Sequence, residues 1–340
     1  MRLARLKALP GATAAHYHCI SRVVDRRFVL GEVEKEIFLK LMRFYAHFCQ
    51  VRVSAYCLMS NHFHLLVEVP ARPQVMPSEA LLIGHVQSCY GKNTAALLAE
   101  NLRQLRQQAG EAVAQKHLES WFARLWDISA FMKTLKQRFT QQFNKLHGRK
   151  GTLWEDRFRS VLVESGSALA TMAAYIDLNP VRAGLVKDPS RYHWSSYGAA
   201  MGGNKAARAG LKSIIATVDR GQEQGLRGDA WLSRYRVWLF GKAEEIQDPR
   251  TGKVLRKGMS RKAVEKGLKR GGKPSLNELL HCRLSYMTRG GALGTKAFIE
   301  SLFEAQRWRF APERKNGARL PRGGESAWQG LRVLRAPRPA

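Results

Sequence analysis

Acidic residues are scarce in this chain. Its 340 residues hold 27 Asp and Glu against 57 Lys and Arg, a formal net charge of +30. So few carboxylates make cationic partners a poor match and polyanions a good one, because each neutralised phosphate releases counterions. The excess covers the whole chain and is denser towards its end. Residues 201–340 carry 30 Lys and Arg against 12 Asp and Glu, and residues 1–200 carry 27 against 15. Long apolar runs are absent too. No stretch approaches the roughly 18 apolar residues of a membrane span. Residues 1–7 are basic without the apolar run of a signal peptide. Cysteine is sparse and unpaired in pattern: the five at Cys19, Cys49, Cys57, Cys89 and Cys282 include no CxxC. That spacing argues against a disulfide framework or a structural zinc site and suits a reducing cytoplasm. No basic amphipathic segment offers a clean apolar face to a membrane surface. The expected partner is nucleic acid, and the expected location is cytoplasmic and nucleoid-associated.

What is present reads as an alternation of strands and helices. A strand is expected over residues 16–22. A helix follows from about Glu32, with Val33, Ile37, Leu41, Phe44 and Phe48 on one face. Two strands then meet at a Ser60-Asn61 turn. A polar, helical stretch over about 80–125 reads as an insertion. A second helix carries Phe131, Leu135, Phe139 and Phe143, and a strand covers 158–164. The third helix begins near Ser167 and ends at Asn179, because Pro180 disfavours helix in the residue before it. This order predicts an α+β fold: an antiparallel sheet flanked by helices, close to the split βαβ, ferredoxin-like plan. Residues 1–200 are expected to form that domain. Residues 201–340 read as a basic, mostly helical accessory region, with helices at 274–284 and 295–307 around a Gly290-Gly291 break. The tail from about 312 is expected to be mobile.

Two features carry chemistry. His62 and His64 are two apart on a strand, so both point to one face and can close on one ion, while Phe63, Leu65, Val67 and Val69 face the other way. Two imidazoles are short of a full ligand set, and the pair could equally be a half-exposed pair with no ligand. Tyr175 and Asn179 stand four apart on the third helix, hence on one of its faces. Were that helix to lie beside the histidine strand, a phenol and an amide oxygen would face the same ion. Tyrosine can act as a nucleophile once activated, and a divalent cation supplies part of that activation. By itself Tyr175 would read as an ordinary core tyrosine.

Four motifs in order change that reading. They are His62-Phe63-His64, then Gly151-Thr152-Leu153-Trp154-Glu155-Asp156-Arg157-Phe158, then Tyr175-Ile176-Asp177-Leu178-Asn179-Pro180-Val181-Arg182-Ala183-Gly184-Leu185-Val186, then Trp194-Ser195-Ser196-Tyr197. Together they resemble the single-tyrosine HUH transposases, above all the bacterial REP-associated group, over roughly residues 14–200. The resemblance implies an HUH endonuclease core that cleaves and rejoins single-stranded DNA beside hairpins through a 5′-phosphotyrosine intermediate. It implies Tyr175 as the nucleophile, His62 and His64 as metal ligands with Asn179 in third place, and Mg²⁺ or Mn²⁺ as the ion. The insertion and the C-terminal region depart from the minimal plan, and a homodimer is allowed by the sequence.

Other residues compete with this set. His16 and His18 form a second HxH, which matches no ligand position of the family and reads as flanking the sheet. Tyr192 and Tyr197 lack a ligand partner one turn away. Trp154 and Phe158 read as core, whereas Arg157 and Arg182 are candidates for DNA contact. So are Arg261, Lys262, Lys269 and Arg270 in the basic accessory region. Two rival functions share the fold: a nucleic-acid-binding regulator that does not transpose, and an HUH replication or relaxase-type nickase.

Overall fold

The computed structural model describes residues 5–218, 228–240, 280, 284–321 and 328–336. It divides into two compact units, Leu30–Val53 with Glu68–Leu153, and Met1–Val29 with Ser54–Val67 and Trp154–Ala340.

The smaller unit is helical. Helix α1 (Glu32–Phe48) is followed by α2 (Glu79–Tyr90), α3 (Lys92–Ala109), α4 (Glu111–Phe122) and α5 (Ile128–Leu146). The polar stretch expected as helix is thus three helices, and the joints are Gly91 and Gly110. Both have φ near the left-handed region's upper side, +88° and +86°, where a side chain would be strained. Helix α1 buries a different stripe from the one its periodicity suggested. Val33 is exposed, while Phe38, Leu39, Met42 and Tyr45 are buried. Phe48 of the expected set is buried as well. At the helix start Glu34 accepts a hydrogen bond from the Gly31 N–H and pairs with His147 Nε2 at 2.9 Å. Phe38 then meets Phe139 of α5 edge-on.

The larger unit is built on a seven-stranded sheet. Its strands are β1 (Ala14–Arg22), β2 (Arg52–Leu58), β3 (His62–Pro70), β4 (Arg159–Val163), β5 (Gly290–Thr295), β6 (Ala318–Arg319) and β7 (Leu331–Arg335), in the order β2-β3-β1-β4-β5-β7-β6. The tight turn between β2 and β3 closes with Met59 N–H donating to the His62 carbonyl. Strand β1 lies between β3 and β4, antiparallel to β4 with His18 opposite Val161.

The fold class is as expected, with three corrections beyond β4. The pairing of β4 with β5 is parallel, which two strands so far apart in the chain can adopt and a hairpin cannot. The Gly290-Gly291 break is itself a strand. Its glycines are there because neighbours come too close for a side chain: a Cβ on Gly290 would lie 2.4 Å from the Tyr286 carbonyl oxygen. Within the tail read as mobile, β6 and β7 complete the sheet. Leu331, Val333 and Leu334 are buried there, an apolar pattern hidden in a basic composition.

Helix α6 (Ser167–Asp177) and the short turn α7 (Asn179–Arg182) sit against this sheet, followed by α8 (Ser196–Met201), α9 (Lys205–Val218), α10 (Ala230–Phe240), α11 (Ser285–Arg289) and α12 (Lys296–Ala305). Thr295 caps α12, its hydroxyl accepting from the Phe298 N–H at 3.2 Å. Every residue of α6 from 168 to 177 is buried. Its many alanines leave room for close packing on all sides, and α8, α9, α10, β4 and β5 all touch it. One buried carboxylate ties these helices together. Asp177 Oδ1 accepts from Ser196 Oγ at 2.9 Å and from the Tyr197 N–H at 3.0 Å, and Oδ2 accepts from Tyr235 Oη at 2.6 Å.

Candidate active site

The end of α6 is shaped by Pro180. Proline has no N–H to give the Ile176 carbonyl one turn back, and the Asn179 side chain supplies the missing donor: Nδ2 lies 3.0 Å from Ile176 O and 3.3 Å from Tyr175 O. The amide nitrogen is thereby engaged with the helix, which leaves Oδ1 as the ligand atom that Asn179 can offer. Arg182 closes the same turn. Its Nη2 donates to the Tyr175 carbonyl at 2.6 Å, its Nη1 to the Leu280 carbonyl at 2.7 Å, and its guanidinium lies 3.9 Å from the centre of the Tyr175 ring. Arg182, expected on a phosphate, is thus also a clamp on the tyrosine.

Across from this turn stands β3. His62 and His64 share a face, their ring centres 5.0 Å apart, and the Tyr175 ring lies edge-on to His64 at 6.5 Å. Asn61 orients His62. Its Nδ2 donates to the Arg26 carbonyl at 2.9 Å, so its oxygen faces His62 Nδ1 at 2.6 Å and accepts that proton. A neutral His62 held in this way carries its lone pair on Nε2. His64 is fully buried, with Nδ1 at 2.9 Å from Nε2 of His18, the neighbour on β1. Burial holds the His64 imidazole well below its usual pKa, reinforced by the positive sides of His62, His18, Arg182 and Arg22. His18 is pushed down to about 3 by burial, against the hydrogen bond to Met287. Both are neutral at neutral pH, the state a metal ligand needs.

His62, His64, Tyr175, Asn179 and Arg182 line one cleft of about 280 Å³, together with Arg22, Arg26 and Thr288. Those last three also line an adjoining cleft of about 250 Å³, where Arg157, Arg159 and Arg289 stand beside Glu155 and Asp156. Arg157 is thus placed next to the site and not in it. Tyr192 does not line the first cleft: its hydroxyl donates to the Leu58 carbonyl at 2.7 Å, and burial pushes its pKa upward. Tyr197 is buried beside Tyr235. Trp154 packs edge-on against Phe63, and Phe158 lies under the Arg5 guanidinium, so both aromatics serve the core. Arg261, Lys262, Lys269 and Arg270 lie outside the described residues. Sequence reasoning missed Asn61, Asp177 and the part taken by His18; the only signal for His18 was the second HxH.

The smaller unit holds one further group with metal-ligand spacing among the described residues: His47, His85 and Cys89. His85 Nε2 already donates to the Phe48 carbonyl at 2.9 Å, a bond that a cation at that nitrogen would displace.

Residues 12–108 match the family model described as "Transposase IS200 like". Through that segment the chain is similar to the IS200-like transposases. The matched segment runs from β1 to α3 and includes His18, His62 and His64; it ends before Tyr175. A comparison with curated proteins gave no match. Among solved structures, a REP-associated tyrosine transposase bound to a REP hairpin aligns at 15% identity with a TM-score of 0.37, over 59% of this chain and 87% of that one.

The buried histidines imply a pH dependence of stability. In the unfolded chain they titrate near 6.5, whereas folded His18 titrates at about 3 and His64 well below the ordinary value. Below pH 6.5 the unfolded state binds more protons, so stability falls as pH falls, by up to ~1.4 kcal/mol per pH unit for each group. Asp177 opposes this: burial raises it from 3.8 to about 6, so its contribution is lost as pH rises through that window. The two histidines outweigh the one carboxylate. Urea unfolding should show a loss on the order of 2 kcal/mol between about pH 7 and about pH 5. Replacing His18 by Gln should reduce that loss by on the order of 1 kcal/mol; an unchanged slope would contradict the assignment.

Proposed function

We propose that this chain is a single-tyrosine HUH transposase of the REP-associated group, which cleaves and rejoins single-stranded DNA beside hairpins. The observation that carries this reading is the meeting of His62, His64, Asn179 and Tyr175 in one cleft. They come from β3 and from the α6–α7 junction, distant in sequence. A pure DNA-binding regulator has no need of that set, and a relaxase-type site with two neighbouring tyrosines does not match α6, which has only Tyr175.

The donor set fits a divalent cation: two imidazole nitrogens and one amide oxygen. Mg²⁺ prefers oxygen and Mn²⁺ accepts imidazole, so both ions suit the site. A cation held there would polarise the phosphodiester and offset charge on its oxygens. The chain's own residues do the rest. The Tyr175 hydroxyl oxygen forms a bond to phosphorus while the bond from phosphorus to the 3′ oxygen breaks. The phenolic proton passes to solvent, and the leaving 3′ oxygen takes one up. The products are a 5′-phosphotyrosine and a 3′-hydroxyl, and attack by another 3′-hydroxyl reverses the step without external energy. Arg22 and Arg26, shared by the two clefts, give the strand a cationic path away from the tyrosine. The enzyme acts on DNA in the cytoplasm, and the basic run around Arg261, Lys262, Lys269 and Arg270 adds affinity for the phosphate backbone.

A cleavage assay on single-stranded DNA bearing a hairpin tests this. With Mn²⁺ the protein should cut the strand, and chelation should abolish cutting while DNA binding persists on charge alone. His64→Ala should lower the cleavage rate by at least about 10²-fold, with DNA affinity changed only a few-fold. Equal cutting in chelator would sink the metal-assisted reading.

A further inference from the structure

We propose that His18 is a positioning residue that fixes His64 in the Nδ1–H tautomer, so that His64 Nε2 is presented to the divalent cation. The proposal rests on the metal site inferred above, but its first observable does not need the metal.

Protons can be counted along a buried chain of hydrogen bonds that starts at Met287. Met287 O, on α11, lies 2.8 Å from His18 Nδ1. A carbonyl oxygen can only accept, so the proton of this bond belongs to His18 Nδ1. His18 is fully buried, and its two hydrogen-bond partners are a carbonyl and an imidazole, with no carboxylate to hold a cationic form. A neutral imidazole carries one proton, so His18 Nε2 bears a lone pair and must accept. The atom it faces at 2.9 Å is His64 Nδ1, which must then carry the proton. His64 is neutral by the same reasoning, and its lone pair falls on Nε2. The ring planes are within 21° of parallel and their centres are 5.1 Å apart, so the two imidazoles meet edge to edge along this hydrogen bond. His64 lines the cleft while His18 does not, as expected of a support behind a ligand.

The arrangement parallels the one at His62, where Asn61 accepts the Nδ1 proton and is itself oriented by the Arg26 carbonyl. Both histidines of the HxH are thus held through Nδ1. A hydrogen-bonded imidazole is a better oriented and more basic ligand, and loss of such a partner typically lowers metal affinity by about 10- to 100-fold. One element is unusual. The chain of bonds ends on Met287, in the basic region that follows the transposase core, so that region supplies an anchor of the proposed metal site.

The test reads the tautomer directly. Full-length, metal-free protein labelled with ¹⁵N-histidine would be examined by long-range ¹H–¹⁵N correlation, with the His64 signals identified by their loss in His64→Gln. The wild type should show His64 protonated at Nδ1 and unprotonated at Nε2. His18→Leu, which keeps the bulk and removes both bonds, should release His64 towards the Nε2–H form and weaken Mn²⁺ binding by about 10- to 100-fold, read as free Mn²⁺ by electron paramagnetic resonance. His18→Gln can donate to Met287 O and accept from His64, and should restore the tautomer and most of the affinity. A wild-type His64 protonated at Nε2 would overturn the proposal, whether or not any variant folds. So would Mn²⁺ affinity in His18→Leu equal to that of the wild type. If wild type bound no Mn²⁺ while His64 kept its Nδ1 proton, the metal reading would fail and the tautomer assignment would stand.

Discussion

Tyr175→Phe should abolish the covalent protein–DNA adduct and lower strand cleavage by at least about 10³-fold, the scale seen when a nucleophile is removed. The reason is the missing oxygen and nothing else. The ring of Tyr175 is 1% exposed and packs against His18, His64 and the Arg182 guanidinium. Phenylalanine keeps the whole ring. Its backbone carbonyl, which accepts from Arg182, is untouched. Stability should therefore stay within about 1 kcal/mol of wild type, and affinity for hairpin DNA and for Mn²⁺ should be preserved. The decisive comparison is adduct yield after denaturation at matched DNA occupancy. Cleavage surviving in Tyr175→Phe would mean another group attacks the phosphorus.

The second large effect concerns stability. Asp177→Ala should destabilise the protein by about 3 kcal/mol, because it strips the acceptor from three buried donors at once. The Tyr197 N–H and Tyr235 Oη would lose this acceptor in a fully buried place, while Ser196 Oγ keeps only the Tyr56 carbonyl at 3.2 Å. Asp177 sits two residues beyond Tyr175 on the same helix, so loosening it should also lower adduct yield. Two companions separate the causes. Asp177→Asn keeps the shape and one acceptor oxygen, and should fall between wild type and alanine. Tyr235→Phe removes a single donor and should cost on the order of 1 kcal/mol. Urea midpoints at fixed slope would check the series. An Asp177→Ala cost below about 1 kcal/mol would show that this carboxylate does not hold α6, α8 and α10 together.

The catalytic candidates were legible in the sequence because strand and helix periods are strict. Positions 62 and 64 share a face on any strand, and positions 175 and 179 share one on any helix, so only their meeting needed the fold. What surrounds them was not legible. His18 is part of an HxH identical in form to the one at 62–64. Only the sheet order, which places β1 beside β3, tells a support from a ligand. Asp177 carries no local signature, since its three donors come from α8 and α10.

The C-terminal region misled for a different reason. Its Gly and Arg content averages over short apolar alternations such as Leu331, Val333 and Leu334, and a glycine pair reads as a break even where crowding demands it. On α1 the expected stripe is only partly the buried one: Phe48 is in the core, but Phe38, Leu39, Met42 and Tyr45 form a second apolar stripe that is buried in place of Val33. The C-terminal region also supports the candidate site. Tyr235 anchors Asp177, and Met287 anchors His18, so each half of the proposed site is held from beyond residue 200.

The most direct test of the central claim is to locate the covalent bond. Wild-type protein would be incubated with hairpin-bearing single-stranded DNA and Mn²⁺, denatured, digested with nuclease and protease, and the nucleotide-bearing peptide sequenced by mass spectrometry. A 5′-phosphonucleotide on the peptide that contains Tyr175 is the expected result. A nucleotide on Tyr192 or Tyr197, or a cut strand with no nucleotide on any tyrosine, would contradict it.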